Sequence, residues 1–270
     1  MVINKMIKIY DCFNFNNEKE LINFRIDYLK DIVDYFIIVE ADKTQSGLEK
    51  QQNFSFDWFD EKIKNKIRYY FISFPNEDSL ESPIWTSSED SIPSWKREEY
   101  QRKYLKNGIF DSQSDDIIIV SDLDEIPNKE KILKLKENHT TLNDFKLVSL
   151  AMNMFNFSID NLKLNEDNSP FIWYHPKILK SKNLICTNKV RLSQPNAIIE
   201  NGGWHFTYFG GEQRLKNKLK DAAHREADNE NQLKDFLKSM KKENYTKLKY
   251  PKELLPDLIF TEKYKDFFTN

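Results

Sequence analysis

Glycine is scarce in this chain. There are 6 in 270 residues, and four of them fall between positions 202 and 211. Cysteine is scarcer: Cys12 and Cys186 are the 2 present. Two cysteines without a paired spacing exclude a disulfide framework and a Cys/His zinc module, so both are expected to be reduced. An excess of one charge is also missing. The 41 Lys and Arg stand against 43 Asp and Glu, a net charge of −2. No basic surplus is available to neutralise phosphates, which argues against a nucleic-acid partner. Long apolar runs are absent too. Aliphatic stretches are short, as at Ile117–Val120, far below the ~20 residues of a membrane span. Residues 1–10 lack the apolar core and cleavage site of a leader. The expectation is a soluble, cytoplasmic protein with no membrane span.

What is present is a folded composition, 39% hydrophobic and 14% aromatic, too apolar for disorder. Residues 7–13 read as a strand, 18–33 as an amphipathic helix and 34–40 as a buried strand. Strand, helix, strand in that space is a βαβ unit and implies a parallel pair. A short helix is expected over 57–66, a strand over 66–74, a loop over 76–94 and a helix over 95–105. A fourth strand, 116–121, is followed by a helix over 128–138. Beyond it, strands are expected at 147–159, 171–179 and 197–209 without intervening helices. A charged helical tail follows. The fold class is therefore α/β, a mixed central sheet flanked by helices. It divides into a βαβ half (1–138), a strand-rich half (139–211) and the tail (212–270), all within one domain.

The strongest chemical signal is Ile117-Ile118-Ile119-Val120-Ser121-Asp122-Leu123-Asp124-Glu125-Ile126-Pro127. In open α/β sheets, ligands bind outside the carboxyl ends of the strands. Clustered carboxylates at such an end repel one another unless a cation sits among them. Mg²⁺ or Mn²⁺ suits oxygen ligands and bridges carboxylates to phosphates. Two chemistries use such an aspartate pair. One is phosphoester hydrolysis by an aspartate nucleophile, but Glu125 and Ile126 stand where those enzymes carry other residues. The other is glycosyl transfer from a nucleotide sugar, with the pair holding the metal against the diphosphate.

Six segments, taken in order, resemble glycosyltransferase family 17. They are Ile9-Tyr10-Asp11-Cys12-Phe13; the helix carrying Arg25; Phe36-Ile37-Ile38-Val39-Glu40 with Thr44-Gln45-Ser46-Gly47; Trp95 to Arg102; Ser121 to Pro127; and Gly202 to Gly211. The resemblance implies a GT-A-type nucleotide-binding fold, a divalent metal (Mn²⁺ or Mg²⁺), a UDP-sugar donor of the UDP-GlcNAc kind and inversion at the anomeric carbon. The acceptor would be a glycan or another hydroxyl compound.

The resemblance also suggests roles. Asp122 and Asp124 would hold the metal, with His205 as a third ligand. Donor contacts would come from Asp11, Glu40, Arg97, Asp122 and Trp204. Arg97 and Arg102 lie five apart on one helix, so only one of them is expected to reach the diphosphate, and Arg97 is the choice. The base that takes the acceptor proton must be a carboxylate within hydrogen-bond reach. Glu212 and Glu125 are the leading candidates, and Glu200 is a third. The glycine pairs 202–203 and 210–211 flank Trp204-His205-Phe206-Thr207-Tyr208-Phe209. Glycine permits close approach to a ligand, so this segment is expected to face Asp122 and Asp124. Two other readings stay open: an aspartate-pair phosphatase, and a silent sugar-nucleotide or glycan-binding module.

Overall fold

The computed structural model describes residues 6–86, 88–137, 142 and 146–269. Its centre is a nine-stranded mixed sheet in the order β3-β2-β1-β4-β8-β6-β9-β5, with β7 paired to β6. The strands are β1 Ile9–Asn14, β2 Tyr35–Ala41, β3 Ile67–Ile72, β4 Ile117–Val120, β5 Glu125–Pro127, β6 Val148–Asn156, β7 Ile172–Trp173, β8 Lys177–Lys180 and β9 Ala197–Thr207. The first four helices are α1 Lys19–Leu29, α2 Glu61–Lys64, α3 Ile92–Tyr104 and α4 Lys129–Glu137.

Strands β1 to β4 form the parallel half, and all four positions of β4 are buried. Alternate side chains of these strands serve two cores, as expected of a sheet covered on both faces. Ile9, Phe13, Phe36, Ile38, Ile117 and Ile119 pack on the face of α1, α4 and the C-terminal Phe268. Tyr10, Cys12, Ile37, Val39, Ile118 and Val120 face the opposite way, toward Leu105, Ile109 and Val190. Both β4 and β6 run antiparallel to β8, and β9 runs parallel to β6. The carboxyl ends of β1, β2, β4, β6 and β9 therefore share one edge.

Residues 121–124 alone separate β4 from β5, yet β8, β6 and β9 lie between them in the hydrogen-bonding order. A flat sheet would put these strands about 19 Å apart at ~4.8 Å per strand. Five residues reach that far only when fully extended, and here a turn closes from Asp122 to Glu125. The sheet must curl around this turn. Residues 121–125 thus lie at the mouth of the curl.

Several expectations are corrected. The single strand expected over 171–179 is two, β7 and β8, because Pro176 between them cannot donate to a ladder. The helix expected over 57–66 shrinks to α2 after a short 3-10 turn, with Asp60 capping it through the Ile63 amide. The second half was expected to hold no helix, but Thr187–Leu192 is one. Pro127 closes β5, which among the described residues is an edge strand paired to β9 alone, where a missing donor is tolerated. The helix expected over 128–138 is α4, and position 138 lies outside the described residues. After β9 come helices Gly211–Asp221, Glu230–Ser239 and Lys265–Thr269. Among the described residues, no helix is long and apolar enough to cross a membrane.

Candidate functional site

The acidic turn is wound around a buried arginine. Arg25 lies in the apolar stripe of α1, where Leu21 and Leu29 are its neighbours one turn away, and it is fully buried. Its guanidinium takes Asp11 in a two-point grip, Nε to Oδ2 at 2.8 Å and Nη2 to Oδ1 at 2.6 Å. The other side donates to the carbonyls of Asp122 (2.7 Å) and Glu125 (2.9 Å), and to the Ser121 hydroxyl at 2.6 Å. Its face also rests on Phe13. A buried ion pair persists only when its remaining hydrogen bonds are satisfied, and these carbonyls satisfy them. The pair therefore dictates the path of residues 121–125.

That path brings three carboxylates to the carboxyl end of β4, each paired to one or more cations, with Arg191 shared between Glu125 and Asp122. Glu125 is fully buried. It accepts from Arg191 through both guanidinium nitrogens, from the Trp173 indole and from the Asp122 amide. Asp122 accepts from Arg102 at 2.6 Å on one oxygen and from Arg191 on the other. Its side chain keeps 37% exposure. Burial would raise its pKa, but the two guanidinium groups outweigh burial and hold it at about 2. Asp124 accepts from the Lys218 ammonium at 2.6 Å, and His205 Nε2 lies 3.5 Å from its other oxygen. Here too the cations overcome the desolvation that burial imposes, and the carboxyl is held far below its ordinary range. His205 reaches this point because β9 pairs with β5, with Glu125 opposite His205 in register.

A divalent ion would find two donors that fit, the Asp124 carboxylate and the His205 imidazole. A spacing of 3.5 Å between an oxygen and a ring nitrogen suits two ligands meeting on one ion that accepts both donor types. The Lys218 ammonium already stands on Asp124 as a cation. Asp122 fits less well, since each of its oxygens already faces a guanidinium. Among the described residues, no group of three or more His, Cys, Asp or Glu side chains is placed to hold a metal.

The pattern that defines glycosyltransferase family 17 matches residues 2–245. The chain belongs to glycosyltransferase family 17. The β-1,4-mannosyl-glycoprotein 4-β-N-acetylglucosaminyltransferase of Rattus norvegicus is 27% identical over 141 residues, which is 48% of this chain and 23% of that protein. The Homo sapiens protein of the same name is also 27% identical over 141 residues, 48% of this chain and 24% of its own length. The chain spans about a quarter of the length of the curated relatives it matches.

In this family-17 chain the residues singled out by sequence fall into two groups. Asp122, Asp124, Glu125 and His205 come together. The others lie elsewhere or are closed in. Asp11 is buried against Arg25. Glu40 is fully buried and takes Lys50, the Tyr69 hydroxyl and the amides of Asn53 and Phe54; it latches the loop after β2. Trp204 is buried edge-on against Tyr28. Of the two arginines on α3, Arg102 reaches Asp122, while Arg97 pairs with Glu77 and donates to the Gln45 carbonyl. Glu212 is exposed and pairs with Lys216 at 2.5 Å, six residues before Lys218 on the same helix. Glu200 is exposed on β9, five residues before His205.

The glycine window faces the acidic turn through His205, and strand packing sets two of its glycines. A Cβ at Gly202 would lie 2.8 Å from the Leu150 backbone, and one at Gly203 would lie 2.2 Å from the Ile126 carbonyl oxygen. These glycines admit the neighbouring strands β6 and β5, and so press β9 against the acidic turn. Sequence reasoning passed over Arg191, Lys218 and Trp173 as contributors to the site. Arg25 left a readable trace, an arginine inside an apolar helical stripe. The other three left none.

Proposed function

We propose that the chain transfers a sugar, N-acetylglucosamine, from a UDP-sugar to a hydroxyl of a glycan or similar acceptor, with inversion. The observation carrying this reading is an Asp-x-Asp pair at the carboxyl end of a buried parallel strand in a chain of this family. The name of these relatives, N-acetylglucosaminyltransferases, supports the choice of donor sugar. The curled mixed sheet is read as a GT-A-type fold, its helical tail packing beside the site. In the reaction the acceptor oxygen attacks C1, the C1–O bond to the diphosphate breaks with its electron pair leaving on UDP, and the acceptor proton passes to a base.

Of the carboxylates considered for that base, Glu125 has every oxygen engaged in the interior, whereas Glu212 is open to an incoming hydroxyl. Glu212 is the base in this reading. Asp124 and His205 would hold Mn²⁺ or Mg²⁺, with Lys218 moving aside. The ion supplies neutralisation of charge on the departing diphosphate. Arg102, Arg191 and Lys218 lie around the same point and would orient the phosphates. Asp11, Glu40 and Trp204 would support the donor side through the backbone they anchor, and Arg97 would set the 44–47 loop.

The test measures UDP release from UDP-GlcNAc with Mn²⁺ and a glycan panel, beside isothermal titration of UDP-GlcNAc. Asp124→Asn should lose release by about two to three orders of magnitude, the scale of removing one electrostatic element from a transition state. Undiminished release would overturn the assignment. Binding without any turnover across the panel would favour the silent binding module instead.

A further inference from the structure

On the same carboxyl edge of the sheet as the acidic turn lies a cavity of about 810 Å³. That volume is within the range of small-molecule sites. Its wall includes Asn156, Phe157, Asn161, Lys163, Thr246 and Lys247. Asn156 is the last residue of β6 and pairs in register with Thr207 of β9. Phe157 turns the chain out of the sheet with φ +69°. Its ring stacks on Tyr208, the Lys218 ammonium sits over Tyr208, and the same ammonium bonds to Asp124. Three side chains, Phe157, Tyr208 and Lys218, therefore link the cavity to Asp124.

Three properties of the wall identify its occupant. Its polar groups are amides, hydroxyls and two lysines, and among the described residues no carboxylate lines it. The Asn156 Oδ1 is buried without a hydrogen-bond partner, a condition that native proteins generally relieve with a ligand or water. Lys163 is half-buried over the Phe171 ring. No ion pair is formed by it among the described residues, and burial alone lowers its pKa. Amides and hydroxyls bind a polyhydroxylated molecule. A half-buried ammonium without a counter-ion binds an anion.

We propose that this cavity seats the acceptor of the reaction described above, and that the acceptor is a saccharide bearing an anionic substituent, a carboxylate or a phosphate, held by Lys163 and Lys247. The inference rests on the glycosyl-transfer reading, which supplies the need for an acceptor. Asn156 contacts the sugar hydroxyls, and the Phe157–Tyr208 stack borders the path from this cavity to the donor.

The experiment titrates four probes into the full chain: trigalacturonate, its methyl ester, galactose 6-phosphate and galactose. The first pair differs only in carboxylate charge and the second only in the phosphate. At least one anionic probe should bind about tenfold or more tightly than its neutral partner. That preference should vanish in Lys163→Met and reverse in Asn156→Asp, which keeps the side-chain size but adds a negative charge. UDP-GlcNAc binding should be the same in all three proteins. Equal binding of charged and neutral probes, no saccharide binding, or a preference that survives both substitutions would overturn the proposal. If UDP-GlcNAc fails to bind while the Lys163-dependent preference remains, the transfer reading falls and the anionic saccharide site stands.

Discussion

The Lys218 ammonium lies 2.6 Å from Asp124 Oδ2, while His205 Nε2 approaches the other oxygen of the same carboxylate at 3.5 Å. Lys218 comes from the last turn and a half of helix Gly211–Asp221 and keeps 35% exposure. It is tethered by a flexible stem and can leave. A lysine in this place competes with any divalent ion for Asp124. Lys218→Met should therefore bind Mn²⁺ several-fold more tightly, measured by electron paramagnetic resonance of free Mn²⁺ without donor or acceptor. UDP binding without metal should weaken in the same variant, because a phosphate-facing cation is gone. Unchanged or weaker Mn²⁺ binding would remove Lys218 from this role.

Arg25 and Asp11 carry the acidic turn. Both are fully buried, and the arginine also holds the Asp122 and Glu125 carbonyls. Breaking a buried pair strands the partner charge, at a cost of about 3–5 kcal/mol. Arg25→Met should lose that much in urea unfolding. Arg25→Lys should recover little, because an ammonium cannot reproduce the two-point grip and the carbonyl contacts together. Near-wild-type stability in Arg25→Lys would show that charge alone, and not the planar fork, shapes the turn.

The parts of the fold that were legible in sequence share one physical property: their burial is strong and local. β1, β2 and β4 are short apolar runs because both faces of the parallel half are covered. Asp122 and Asp124 stood out because they follow such a run. The rest depended on contacts between distant segments. Trp173 and Arg191 meet Glu125 from 48 and 66 residues away, and Lys218 meets Asp124 from 94. Nothing in their own neighbourhoods announces these meetings. The helix Thr187–Leu192 has no side-chain cap and only six residues, too short for a periodic signal. The choice between Arg97 and Arg102 turned on helix rotation. Five residues place them about 140° apart at ~3.6 residues per turn, and only packing decides which one faces β4.

Lys177 gives a pH signature. It is buried at the start of β8, where its ammonium donates to the Tyr174 and His175 carbonyls. Burial, with nearby Arg191, pushes its pKa down to about 8. An unfolded lysine keeps its proton to about 10.4. Between about pH 8 and 10.4 the unfolded chain therefore binds more protons at this residue, so its contribution to stability rises with pH. Below about pH 8 it is charged in both states and the unfavourable contribution is fully present. Lys177→Met abolishes the effect. The melting temperature of the wild type, relative to this variant, should climb across that window. A flat difference would mean that the lysine titrates normally in the folded chain.

Gly203 and Gly211 both carry positive φ, +156° and +83°, but of the two only Gly203 is also crowded. At Gly203 an added Cβ meets the Ile126 carbonyl oxygen at 2.2 Å and the Met152 methyl at 2.8 Å. The methionine can yield, but the carbonyl belongs to β5, whose position is tied to Glu125 and through it to Arg191 and Trp173. At Gly211 nothing lies within 4 Å, and the only objection to a side chain is φ +83°. Left-handed backbone costs an L-residue about 1–2 kcal/mol, whereas overpacking costs about 1–3 kcal/mol or more when backbone must move. Gly203→Ala should lower the melting temperature by more than Gly211→Ala. It should also change tryptophan fluorescence, because displacement of β5 carries Glu125 away from the Trp173 indole. Gly211→Ala should leave that emission unaltered. If Gly203→Ala kept both its stability and its emission, β9 would not be pressed against the acidic turn as closely as the Asp124–His205 contact requires.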